Sequence, residues 1–375
     1  MRGSVAIGVI GVALLSVSVT GQQGSHLNPM VDLLSARKAI FGVGVPSAGR
    51  GGGNRGGAAG AATTPTPTPA PAPPKTPSDL AKDALAHPEA DYFFTASMER
   101  NIDGGSANLI ALQDALAELG NVRKVPSPRL ERARALLEKG LMTRQQVDDI
   151  AAGEHQTRLL MPINSKAPNI SRADMPADPA NYVTNISRQL NAGVSSFAFV
   201  EVDNAEELRL GIAAMRFKSN GGTRPDDVGN APKYWGLSEA EYRRKADVWP
   251  LNPEGELVVW AIVETKEGLA NVREIAQVKG LSVLVPGAGT LGGVFSTTNA
   301  EGRRVRDDVA WEAAIQTVLA ACKEFKLACG YPVSEADIET RMQQGFNVGI
   351  LQQFNDSAFR AVAKGRQISG RDKDK

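Results

Sequence analysis

The sequence predicts an α/β protein, a (β/α)8 barrel of the TIM type, with an N-terminal export signal ahead of it and a Pro/Gly-rich insertion near its start. Three observations carry this prediction. Strand-like and helix-like segments alternate along most of the chain, the signature of βα units and a parallel sheet. The run Leu257-Val258-Val259-Trp260-Ala261-Ile262-Val263 is continuously apolar, as a strand buried on both faces must be. The chain has 375 residues, enough for one barrel of roughly 250 residues plus tails, so one large domain accounts for it.

The N-terminus carries Arg2 and then the apolar run Val5 to Val19, too short to span a bilayer comfortably but suited to a signal-peptide core. Residues 1–21 therefore read as a signal segment cut between Gly21 and Gln22, the alternative being an uncleaved anchor. Within residues 22–46, Leu33 to Val45 reads as a short helix-like piece leading into a β-branched, Gly-spaced run, the first strand. Residues 47–78 are nearly all Gly, Ala, Thr and Pro, a flexible part followed by repeats that favour polyproline II. This stretch is either a linker or a loop inserted between the first strand and the first helix of the barrel. The barrel proper is expected over 79–360, followed by a charged tail over 361–375.

Within the barrel, Asp79 to Ala86 reads as a helix, Asp91 to Thr95 as a strand, and Ala107 to Leu119 and Arg129 to Lys139 as helices, the last ending at Gly140. Gln156 to Ile163 reads as a strand, and Asn164 to Pro179, rich in Pro, Asn, Ser and Asp, as an exposed loop or insertion. Ser196 to Val202 is a strand, and Ala205 to Arg216 a helix opened by Asn204 with Glu206 and Glu207 in its first turn. The helix from Thr265 to Ala276, the strand Leu281 to Val285, the helix Asp307 to Phe325 and the strand Phe346 to Leu351 complete the series.

Composition excludes some functions. With 42 basic against 41 acidic residues the net charge is +1, so there is no electrostatic footprint for nucleic acid or an anionic membrane surface. Once the signal is removed, no stable membrane association is expected. Cys322 and Cys329 are the only cysteines; a disulfide framework is not expected, and both read as buried free thiols.

In parallel barrels the active site lies at the carboxyl ends of the strands. Glu264, directly after the buried run, fits that position best. A carboxylate there can ligate a hard cation, act as acid or base, or cap the next helix. The Gly-rich turn Gly287-Ala288-Gly289 after the next strand would let backbone amides approach a substrate carboxylate. Glu201 and Asp203 end the neighbouring strand and serve either as further acids at the site or as the start of the next helix. His155 reads as a lone exposed histidine, and His26 and His87 as incidental.

The run Trp260 to Asn271, with Glu274-Ile275 and Val278-Lys279-Gly280-Leu281, closely resembles the centre of the HpcH/HpaI aldolase and citrate lyase family. Phe199 to Glu207 with Ala214-Met215-Arg216-Phe217 resembles that family's preceding strand and helix, and Trp235 with Tyr242 to Ala246 its connecting segment. The resemblance runs from about Ile186 to Leu351. It extends more weakly to Asp91–Arg100, which resembles the second strand and its Asp-x-Glu-His motif, and to Asn28–Val45, which resembles the opening helix and first strand. It favours the Pro-rich segment as a loop within the barrel.

The resemblance implies a divalent metal, magnesium or manganese, and a small 2-oxo or hydroxy acid such as pyruvate in aldol cleavage or condensation. Glu264 matches the metal-binding Glu, while Gly289 stands where the second metal-binding Asp is expected. Ser97 and Arg100 stand where the Asp and His of the acid/base motif belong, with Glu99 retained between them. Arg100 could then replace lost metal charge, pairing with Glu264 or a substrate carboxylate. The substrate-orienting Arg at the end of the third strand falls on Arg123 or Lys124 if that strand is Asn121 to Val125, or near Arg158 if it is Gln156 to Ile163. The expected function is a divergent, metal-dependent carbon–carbon lyase, exported to the periplasm or secreted, with a homo-oligomer allowed. Its alternative is an acid-binding protein on an aldolase-like barrel.

Overall fold

The computed structural model describes residues 26–47, 74–126, 128–151, 155–166 and 179–371. The signal segment and most of the Pro/Gly-rich stretch lie outside the described residues. Eight parallel strands close on themselves. They are β1 (Ile40–Gly44), β2 (Tyr92–Thr95), β3 (Ile163–Lys166), β4 (Ser196–Phe199), β5 (Leu257–Val263), β6 (Leu281–Pro286), β7 (Ala328–Pro332) and β8 (Val348–Leu351). Each pairs in parallel with the next, and Ile40 opposite Val348 joins β1 to β8. This is the predicted (β/α)8 barrel.

Alternation along the strands sorts the side chains. Tyr92, Phe94, Ala198, Trp260, Ile262, Val283, Val285 and Ile350 fill the interior, while Phe93, Phe197, Val259 and Leu284 face the surrounding helices. Trp260 and Tyr92 meet edge to face, 5.3 Å between ring centroids, and the Tyr92 hydroxyl donates to the Gly349 carbonyl at 2.8 Å. A side chain at Gly42 would collide with the Tyr92 ring, so this glycine makes room for the aromatic layer.

The helix α1 (Pro29–Ser35) closes the amino-terminal end of the barrel, with Met30, Val31 and Leu34 packed into the interior cluster. Buried Glu256, just before β5, accepts the N–H groups of Leu27 and Asn28 at 3.0 and 2.9 Å, fixing that plug. On the outside, α2 (Pro77–Leu85) and α3 (Ile102–Leu119) follow β1 and β2. The described residues on either side of 48–73 thus belong to the first strand and the first helix of the barrel.

Four expectations change. Residues Val122–Pro126 and His155–Leu159 are not barrel strands; they pair antiparallel in a separate ribbon. Two helices between them, Pro128–Glu138 and Arg144–Ala151, bury Leu130, Ala133 and Val147 in a small cluster of their own. The third barrel strand begins instead at Ile163, in residues whose polarity suggested a loop. Buried Asn164 and Ser165 are tolerated there because Asn164 donates to Ser196 Oγ at 2.7 Å and Ser165 Oγ donates to Gln189 at 2.6 Å.

The charged tail does not begin at 361. The last helix runs Asp356–Ile368, and beyond it Arg371, 4% exposed, forms a two-pronged pair with Asp91 at 2.7 and 2.8 Å. Finally, Cys322 and Cys329 are not free thiols. They form a disulfide, Cα atoms 5.7 Å apart, between the end of the helix Asp308–Phe325 and β7.

Candidate active site

The carboxyl ends of β2 to β6 converge on one mouth, and the strand alternation decides which side chains enter it. On β5, Trp260 and Ile262 point inward, so Glu264 takes the next inward position. On β3, Lys166 lies in register with inward Ala198. The two residues therefore face each other's strand ends across the mouth.

Glu264 is 5% exposed and accepts the backbone N–H of Glu201 at 3.1 Å. Glu201 has φ 50°, in the left-handed region, a conformation that costs a non-glycine residue about 1 kcal/mol. That turn directs its N–H toward the carboxylate. A Cβ at Gly287 would lie within 2.5 Å of Glu264 Oε2, so only glycine lets the carboxylate rest against the end of β6.

Burial pushes the Glu264 carboxyl above its ordinary value. A Thr290 hydrogen bond, the charge of Lys166 and the Glu201 N–H pull it down, and the neighbouring Glu201 charge adds to the rise. Lys166 pairs with Glu99 at 3.5 Å, both partly buried. The hydroxyls of Thr95 and Ser97 bond to each other at 3.0 Å, which sets the start of the turn carrying Glu99.

The other predicted site residues fall as follows. Asp203, fully buried, accepts the Thr265 hydroxyl, and its carbonyl accepts Asn271 Nδ2 at 2.9 Å. It ties the exits of β4 and β5 together, whereas Glu201 is the acid whose charge reaches Glu264. Gly287, Ala288 and Gly289 open the helix Ala288–Val294, with Gly287 as its N-cap. The Gly287 N–H is committed to the Val263 carbonyl at 2.8 Å, and the Ala288 carbonyl to Trp311 Nε1 at 2.8 Å. Gly289 is exposed, with nothing within 4 Å of where a Cβ would be.

Arg100 ends the short helix Ser97–Arg100 after β2, on the mouth side of the barrel. Arg123 and Lys124 stand exposed on the ribbon. Its base is held by Asn121, whose carbonyl and Oδ1 accept the N–H groups of Leu160 and Met161 at 2.8 and 3.1 Å, ahead of β3. The ribbon thus springs from the opposite, amino-terminal end, and the assignment of these cations to the mouth is corrected. Arg158 pairs there with Asp32 of α1 at 3.2 Å. The cation at the end of the third strand is Lys166, which sequence reading missed because Asn164-Ser165-Lys166 looks like the start of a polar loop.

Among the described residues no three His, Cys, Asp or Glu side chains come together in a metal-binding group. What the mouth offers is an acidic pair, Glu264 and Glu201, with Lys166 already engaged by Glu99. Magnesium commonly takes one or two carboxylates and completes its shell with water and substrate oxygens. Glu264, buried beside Glu201, fits that sparse arrangement.

A closed parallel barrel with an acid-lined mouth at its carboxyl face defines the class. Residues 176–349 match the model of the HpcH/HpaI aldolase/citrate lyase family. Its fold is similar to that of an HpcH/HpaI aldolase/citrate lyase family protein from Burkholderia cenocepacia J2315, at 16% identity over 92% of this chain and 98% of that one, TM-score 0.54. It is also similar to the citrate synthase SbnG, at 14% identity over 92% and 99% of the two chains, TM-score 0.50. A more distant likeness is to CitE from Mycobacterium tuberculosis, crystallised with magnesium and acetate, at 14% identity over 90% and 94%, TM-score 0.42. A search of curated proteins finds no match to the sequence.

Proposed function

We propose that this barrel is a carbon–carbon lyase of the aldolase type, acting on a small 2-oxo or hydroxy acid held at the mouth between Lys166 and Glu264. The observation that carries the reading is Glu264, a buried carboxylate raised by burial at the carboxyl end of a strand in an aldolase/citrate lyase barrel. In the cleavage direction the 4-hydroxyl loses its proton and the C3–C4 bond breaks. Its electrons move toward the 2-oxo group, the aldehyde departs, and C3 takes up a proton to give the shorter 2-oxo acid. Lys166, oriented by Glu99, supplies a charge-assisted contact to the substrate carboxylate. Glu264 and Glu201 would hold a divalent cation, which supplies Lewis-acid stabilisation of negative charge developing on the oxo oxygen.

The open position at Gly289 favours a second reading, acid binding without turnover on the same barrel. Pyruvate release from a panel of 4-hydroxy-2-oxo acids, with magnesium or manganese added and Glu264→Gln as control, separates the two. Turnover that needs the metal and Glu264 supports the lyase. Acid binding with no turnover by the wild type leaves the second reading.

The signal-like residues 1–21 support export to the periplasm or the medium, and the Cys322–Cys329 disulfide suits an oxidising compartment. A mature N-terminus at Gln22, read by sequencing the exported protein, is the expected result.

A further inference from the structure

A cavity of about 560 Å³ opens beside the mouth, with Lys166 at its inner end. From there it passes over the ends of β1 and β2 to the flanks of α2 and α3. One side of it is apolar, formed by Phe94 of β2, Val45 just after β1, Leu80 of α2 and Leu109 and Leu112 of α3, while Lys75, Asn108 and Gln352 line the other. Cavities of this size hold ligands well beyond a three-carbon acid. Lys166 belongs both to this cavity and to the field around Glu264, so a molecule with its carboxylate at Lys166 and its 2-oxo group toward Glu264 has the apolar side of the cavity beside it for the rest of its chain.

From this continuity we infer that the acid handled at the mouth carries a linear apolar tail of several carbons, lodged between α2 and α3. The inference rests on the proposed placement of the substrate carboxylate at Lys166, and it names the substrate class for that site.

Binding tests this without requiring turnover. Calorimetry of the full chain with pyruvate, 2-oxohexanoate and 2-oxodecanoate should show affinity rising about fourfold per added methylene until the cavity is filled. Ala111→Trp, on the cavity wall, should flatten that rise. Asn108→Phe, at an exposed lining position of the same helix that tolerates substitution, should flatten it too if Ala111→Trp fails to fold. Equal affinity along the series, no binding of any member, or a rise untouched by both variants overturns the inference. Length-dependent binding without carbon–carbon cleavage upholds it while removing the lyase reading, so the two fail separately.

Discussion

The two halves of the barrel meet at the mouth but are built on different terms. In the second half, β5 and β6 are buried at every position of their seven and six residues. They are written almost entirely in apolar side chains, with Ser282 of β6 bonded to the Trp249 carbonyl at 3.0 Å. In the first half, β2 and β3 have four residues each, and β3 keeps buried Asn164 and Ser165 through side-chain hydrogen bonds rather than apolar packing. The site takes Glu264 from the second half, after β5, and Glu201, Lys166 and Glu99 from the first, at the ends of β4, β3 and β2. The comparison teaches that the apolar half supplies a buried carboxylate and the polar half the cation that faces it.

Breaking the apolar half's contribution should have the largest effect. Glu264→Gln removes the buried charge while keeping the shape, and kcat/KM for pyruvate release should fall about 100- to 1,000-fold. The first half is held from the far end of the chain, so Arg371→Ala, which leaves Asp91 paired with Arg366 at 3.3 Å, should lower stability by about 3 kcal/mol in urea unfolding. Lys166→Met should cost about 10- to 100-fold, the range of a lost hydrogen bond to a charged group. That loss should fall mainly on KM, with Lys166→Arg restoring part of it. A loss confined to kcat would take Lys166 out of substrate binding.

The same contrast explains what could be read in advance. β5 and β6 were legible because burial on both faces leaves no polar alternative, and Glu264 was legible as the first polar residue after such a run. Lys166 was hidden because its strand is short and its buried polar residues owe their place to Ser196 and Gln189, distant in sequence. The ribbon misled for a related reason. Its two strands satisfy each other across the loop, and local pattern cannot tell that pairing from pairing within the barrel. The disulfide escaped because spacing says nothing of whether a helix end and a strand bring two sulfurs together. Arg371 lay in what composition marks as a charged tail, and only the position of Asp91 turns it into an anchor.

A smaller effect separates Glu264 as a charge from Glu264 as a packed side chain. Its folded-state pKa is raised by burial, so between the ordinary glutamate value and the raised one the folded protein holds more protons than the unfolded chain. Stability contributed by this group is therefore greatest at low pH and is lost as pH rises through the folded value. Glu264→Gln has no such titration. Its melting temperature relative to wild type should climb as pH is raised across that window and level off above it, and a constant difference would mean that burial does not raise the carboxyl.

The smallest expected effect concerns the ribbon. Arg123 and Lys124 are exposed on an element rooted at the amino-terminal end of the barrel, away from the strand ends where Lys166 sits. Arg123→Ala with Lys124→Ala should change pyruvate release less than twofold, and stability by no more than about 0.5 kcal/mol, as for ordinary surface positions. A loss comparable to that of Lys166→Met could not arise within one barrel, because β3 itself lies between the ribbon's base and the mouth. It would require the ribbon of one copy to reach the mouth of another. The same double variant would then have to shift the oligomeric state in size-exclusion chromatography, which makes the pair of measurements decisive about whether the two ends of this barrel ever work together.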